Sequence, residues 1–141
     1  MIRAVLDANV VVAAMLSPRG VPAQLLATAR ESWRLVWSPP IVAECHRVLD
    51  YARIKRAMRL PNPHAFVDDV AALADMVRTD LPVLDVVRKD PSDNVYLATA
   101  LAGAARWVVT GDKRHLLPIK TFGGVRIVLP SVFLAELRAQ G

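Results

Sequence analysis

At 141 residues, with 54% hydrophobic and 22% charged side chains, the chain is long enough for one buried core and too apolar to remain disordered. One cysteine, Cys45, excludes an internal disulfide framework and a cysteine-based zinc site, and it suits an intracellular, cytoplasmic setting. The net charge of +5 favours a polyanionic partner, nucleic acid before an acidic membrane or protein, although ordinary solubility charge explains it equally well.

Residues 2–6 read as a short buried strand. Residues 9–16 allow strand through Val10, Val11 and Val12, or helix through Ala13, Ala14 and Met15. Helix is preferred, because a strand running from 2 to 16 would be unusually long. Asp7 and Asn9 interrupt this apolar stretch, so it offers neither the about 20 apolar residues of a bilayer span nor the unbroken centre of a signal peptide. No membrane association is expected.

A helix is predicted over 21–32 and a strand over 34–37. Ser38 then reads as an N-cap with Pro39 at the first helical position, and the helix runs toward Met58 until the prolines at 61 and 63 break it. Phe66, Val70, Leu73 and Val77 recur at helical spacing in a helix over 65–77. Residues 83–87 are a strand candidate, and Asp90-Pro91 opens a helix through Ala105. Strands at 107–110, closed by Gly111, and at 126–129 precede a terminal helix over 130–138. This alternation implies an α/β fold, one domain over 1–141 with a mostly parallel sheet covered on both faces. Ligands in such sheets bind outside the carboxyl ends of the strands.

Four acids stand near that edge. Asp7 closes the first strand, and alone it reads as an N-cap. Glu44 lies on or beside the apolar stripe Ile41, Cys45, Val48 and Leu49, where a carboxylate is partly desolvated unless it reaches water or an arginine such as Arg47 or Arg3. Asp93 follows Asp90-Pro91-Ser92, with Asp90 as the N-cap of a mostly apolar helix. Asp112 follows a strand ending in Thr110 and the turn residue Gly111. Each has a structural reading by itself. Together they predict a shared pocket, in which like charges are tolerable only with a cation. All-oxygen donors select a hard cation, Mg²⁺ or Mn²⁺. An acidic metal pocket in a basic surface suits phosphodiester hydrolysis.

The segments LDANV (6–10), SPPIVAE (38–44), DPSDNVYLATA (90–100) and VVTGDKRHLL (108–117), followed by IVLPSVFL (127–134), resemble PIN-domain nucleases, and within them the bacterial VapC-like toxins. The resemblance implies a three-layer α/β/α sandwich. It carries the site acids over to Asp7, Glu44, Asp93 and Asp112, with Asn9 and Thr110 supporting them. It also implies RNA hydrolysis with Mg²⁺ or Mn²⁺, a cognate antitoxin partner and a homodimer. Ala8 stands where threonine is more usual, and Arg114-His115 replaces an acid followed by leucine. Neither departure removes a ligand.

Lys113 and Arg114, directly after Asp112, are the candidate phosphate contacts, with His115 beside them. Arg53, Lys55, Arg56 and Arg59 form a basic run that reads as a solvated face before a docking patch. His46 and His64 lack a second histidine at ligand spacing and read as surface or satisfied core groups. Cys45 is expected to be packed and inert. The alternative function is a catalytically silent module that keeps this fold to bind RNA or protein. A phosphatase using Asp7 as nucleophile would want a second aspartate where Asn9 stands.

Overall fold

The computed structural model describes residues 1–140. In chain order the elements are β1 (Arg3–Leu6), α1 (Ala8–Leu16), α2 (Val21–Ala27), β2 (Arg34–Trp37), α3 (Pro39–Leu49), α4 (Ala52–Ala57), α5 (Pro63–Leu73), β3 (Asp75–Met76), α6 (Asn94–Ala102), β4 (Trp107–Val109), β5 (Thr121–Phe122), β6 (Val125–Val128) and α7 (Pro130–Gln140). Single 3₁₀ turns precede α6 at Pro91–Asp93 and β5 at Leu117–Ile119. The sheet runs β3-β2-β1-β4-β6-β5, parallel throughout except for the β5–β6 hairpin.

Consecutive residues of the central strands are buried, Ala4, Val5 and Leu6 in β1 and Val108 and Val109 in β4. A strand apolar on both faces needs helices on both, which gives the three-layer α/β/α sandwich. Trp33 and Phe133 meet edge to face with ring centres 5.3 Å apart. The indole of Trp37 donates to the Leu6 carbonyl at 3.0 Å, fixing the end of β1 immediately before Asp7. Among the described residues no single helix is long and apolar enough to cross a membrane.

Several predicted elements differ in extent. The helix predicted over 21–32 ends at Ala27, and the one predicted from Pro39 toward Met58 breaks at Asp50-Tyr51, where Tyr51 is extended. In α4 only Ile54 is buried, so Arg53, Lys55 and Arg56 form an exposed face. Ser38 precedes α3, but its hydroxyl pairs with that of Thr99 at 2.8 Å rather than capping the helix.

The strand expected over 83–87 does not form. The Asn94 side chain accepts from the Val86 and Val87 N–H groups and donates to the Val87 carbonyl, which occupies the backbone groups a strand would pair. The edge of the sheet is instead Asp75–Met76, inside the helix predicted over 65–77. Asp75 is held there by Arg3, whose guanidinium lies 2.7 Å from its carboxylate and also donates to the Gly103 carbonyl. The β5–β6 hairpin was not predicted. Its turn residues Gly123 and Gly124 both have positive φ, 57° and 82°, which glycine adopts without steric cost.

Candidate active site

Asp7 leaves β1 and enters α1 with its side chain almost wholly enclosed, 3% exposed. Its Oδ1 accepts the Asn9 N–H at 3.0 Å, so the capping role exists, but its Oδ2 accepts the hydroxyl of Thr110 at 2.7 Å. Burial pushes the Asp7 carboxyl above its ordinary value. The Asn9 N–H and the Thr110 and Tyr96 hydroxyls oppose that shift, and the Asp112 charge adds to it.

Thr110 ends the run of β4 and is fully buried. Besides donating to Asp7 it accepts the Asp112 N–H at 3.0 Å, so one hydroxyl fixes both acids at the carboxyl edge of the sheet. Asp112 Oδ1 in turn accepts the N–H groups of Arg114 at 3.0 Å and His115 at 3.2 Å. Burial raises the Asp112 carboxyl, but the hydrogen bond from Asp93, these two N–H groups and the His115 ring outweigh it and hold the group below its ordinary value.

Asp93 sits where the 3₁₀ turn passes into α6, half-buried and bonded to Asp112. Its carboxyl is pushed up to about 8, first by desolvation, then by that hydrogen bond and by the charges of Asp90, Asp7 and Asp112. Burial and the neighbouring carboxylates thus both favour the neutral form of Asp93, while Asp112 stays the more acidic of the two.

Asp7, Asp93 and Asp112 line one hollow of about 440 Å³, together with Asn9, Asp90, Gly111 and His115. Glu44 does not face it directly. It lines an adjoining hollow of about 300 Å³ that shares Asn9, Asp90 and Asp93 with the first, and it is paired with Arg47. Its charge still bears on the same groups: Tyr96 and Cys45 both feel Asp7 and Glu44. Cys45 is buried, and its thiol is pushed up to about 12, chiefly by desolvation, so it stays protonated. Lys113 and Arg114 are exposed at the rim.

Two residues of this edge, Asp90 and Tyr96, were not singled out by sequence reasoning. Asp90, read there as an N-cap, makes no capping bond; its Oδ1 accepts the Ser92 hydroxyl at 2.6 Å, and it lines both hollows. Tyr96, three residues after Asp93 and so on its helical face, accepts the Ala8 N–H at 3.3 Å, and its phenol, pushed up by burial, stays protonated near Asp7. His115 lines the first hollow, and its Nδ1 is buried with no hydrogen-bond partner among the described residues. The Asp90-Pro91-Ser92-Asp93 sequence, with two acids around a helix start, was the available signal for the first.

The three carboxylates are all-oxygen donors, and the mutual charge that helps push Asp7 and Asp93 up is what a cation would relieve. These residues fit a hard divalent ion such as Mg²⁺ or Mn²⁺. Among the described residues no three His, Cys, Asp or Glu side chains form a ready-made cage. An ion held by one or two carboxylates, with water in its other positions, needs none.

A family model for the PIN domain matches residues 3–114. The fold is similar to that of PAE2754 from Pyrobaculum aerophilum, with a TM-score of 0.60 and 20% identity over 99% of this chain and 91% of the other. It is also similar to a chain of VapBC-1 from nontypeable Haemophilus influenzae, with a TM-score of 0.58 and 14% identity over 92% of this chain and 99% of the other. No curated protein sequence matches. The family match spans most of the chain and every site acid, and the sheet order and acid-lined edge agree with it: the chain belongs to the PIN domain family, whose members are generally divalent-cation-dependent nucleases.

Proposed function

We propose that the chain is an endoribonuclease dependent on Mg²⁺ or Mn²⁺, acting in the cytoplasm as the toxin of a toxin–antitoxin pair. The convergence of Asp7, Asp93 and Asp112 on one hollow at the carboxyl edge of the sheet carries the nuclease reading. The VapBC-1 likeness in fold and the net charge of +5 support the toxin role and an RNA substrate. A homodimer and a cognate antitoxin complete the proposal. The apolar groove of about 410 Å³ lined by Met15, Leu26, Phe66 and Leu73 offers an antitoxin segment a dry seat.

In the reaction Asp7 is the fixed point, held by the Asn9 N–H and by the hydroxyls of Thr110 and Tyr96. A divalent cation, when bound, supplies Lewis acidity that sharpens a water nucleophile and offsets charge growing on the phosphoryl oxygens. Asp93, whose carboxyl is pushed up to about 8, would lose its proton under the charge of a bound cation and would then be placed to accept one from the attacking water. Asp112 keeps Asp93 in place through their hydrogen bond. Lys113 and Arg114 bind flanking phosphates at the rim, and Glu44 with Asn9 supports the adjoining end of the cleft.

The test is cleavage of RNA by the purified chain. Cleavage should require Mg²⁺ or Mn²⁺, stop on chelation, and fall by at least about 100-fold in Asp7→Asn and Asp93→Asn. Undiminished cleavage in either variant would overturn these roles. Tight RNA binding with no metal-dependent product would favour a silent binding module.

A further inference from the structure

On the solvent side of α3 and α5 four side chains stand in a row: Asp68, His46, His64 and Asp50. His46 Nε2 lies 3.0 Å from Asp68 Oδ1 and His64 Nε2 lies 3.2 Å from Asp50 Oδ1. The two Nδ1 atoms face each other at 2.7 Å. Along the chain the histidines are 18 residues apart, so no local spacing announces the pair; the packing of α3 against α5 creates it.

The ring planes lie within 15° of parallel, with centres 5.0 Å apart. That separation is about as large as two imidazoles joined through Nδ1 contact can reach. The rings are therefore edge to edge in nearly one plane, each Nδ1 aimed at the other within its own ring plane.

An ionised carboxylate only accepts hydrogen bonds, so each Nε2 carries its hydrogen and each ring offers Nδ1 to its neighbour. Two bare acceptors at this range repel, and a cation placed between them would turn that repulsion into ligation. An imidazole whose N–H is held by a carboxylate, with its other nitrogen free, is the form in which histidine ligates metal; the carboxylate fixes the tautomer and strengthens the donor. The arrangement occurs here twice, with the two free nitrogens pointing at each other.

We infer that His46 and His64 form a second metal site, apart from the carboxylate hollow, for a borderline divalent transition cation of the Zn²⁺ or Ni²⁺ class. Both Nδ1 atoms are ligands, and Asp50 and Asp68 orient them. Imidazole nitrogen favours such ions over Mg²⁺, so the two sites sort cations by donor chemistry. Zn–N bonds of about 2.0–2.1 Å require the nitrogens to open to about 3.3 Å. The side chains are 31% and 44% exposed, which gives the rings room to swing and leaves the remaining positions to water. The ion would fasten α3 to α5 and stabilise the folded chain by binding it selectively.

The experiment titrates the full chain, first stripped by chelator, with ZnCl₂ while the imidazole nitrogens are followed by ¹H–¹⁵N NMR. The Nδ1 resonances of His46 and His64 should shift together and saturate in the micromolar range, with a rise in Tm. Millimolar Mg²⁺ should move neither. His46→Gln and His64→Gln should each weaken Zn²⁺ binding at this site by at least tenfold, and Asp50→Asn or Asp68→Asn by about tenfold. Resonances that ignore Zn²⁺ and show a single bridging proton overturn the inference in favour of a proton-sharing pair. An affinity unchanged by His64→Gln in a folded variant overturns it too. The NMR arm uses the unaltered protein and stands whether or not the variants fold.

Discussion

The hydroxyl of Thr110 donates to Asp7 Oδ2 at 2.7 Å, joining two buried residues 103 positions apart in the sequence. Through that bond and the Asp112 N–H, the end of β4 aligns two of the site acids before any cation or substrate arrives. Thr110→Val keeps the shape but removes the donor and leaves Asp7 under-satisfied in a buried place. Unfolding should become easier by about 1–3 kcal/mol. RNA cleavage should fall more in kcat than in KM, and Thr110→Ser should recover most of both. Denaturant melts and steady-state kinetics on the three proteins check this.

Crowded carboxylates make stability depend on pH. Asp93 holds its proton in the folded chain up to about 8, against an ordinary value of 3.8, so the folded state binds more protons than the unfolded state between those values. Its stabilising contribution is complete below 3.8 and is lost as pH rises through about 8. Asp7 is shifted in the same sense. Asp112, held below its ordinary value, acts oppositely: its contribution is present above that value and is lost in acid. In EDTA, Tm should decline from pH 5 toward pH 9, and Asp93→Asn should flatten the decline. Added Mg²⁺ should raise Tm more at pH 8.5 than at pH 5.5. A melting series at fixed ionic strength reads all three effects.

Gly103 ends α6 against the sheet with no room for a side chain. A Cβ there would come within 2.4 Å of Val36 Cγ1 and 2.9 Å of Val77 Cγ2, at the point where Arg3 bonds the Gly103 carbonyl. Gly103→Ala should destabilise the chain by about 1–3 kcal/mol through overpacking. Cleavage per folded molecule should be unchanged, since the contact lies away from the carboxylates. Denaturant unfolding beside an activity assay separates the two.

Glu44 is shielded by Arg47, whose side chain is 62% exposed. A pair this open contributes less than about 1 kcal/mol. Arg47→Ala should therefore hardly change Tm, while exposing the Glu44 charge to the cleft and tightening Mn²⁺ binding. Calorimetric titration of Mn²⁺ into both proteins would show the difference.

That Asp7, Asp93 and Asp112 share one edge was legible because each ends a strand or opens a helix beside an apolar run, as Asp7 does after residues 3–6 and Asp112 after β4. Asp7 proved to be cap and pocket acid at once, since its two oxygens point to different donors. What stayed hidden depends on long-range packing. The strand expected at 83–87 is cancelled by one side chain, Asn94, seven residues beyond Val87. The edge strand at Asp75–Met76 is too short to show a period and is held by Arg3 from the other end of the sequence. Glu44 reads alike whether it meets a cation or Arg47, and only the folded helix shows the pairing. His46 and His64 become neighbours only when α5 packs on α3.

The central claim is that Asp7, Asp93 and Asp112 make one cation site. Anomalous diffraction from crystals grown with Mn²⁺ addresses it directly. A manganese peak in the hollow between these three carboxylates, absent from crystals of Asp7→Asn, is the predicted result. An empty hollow at saturating Mn²⁺ would contradict it.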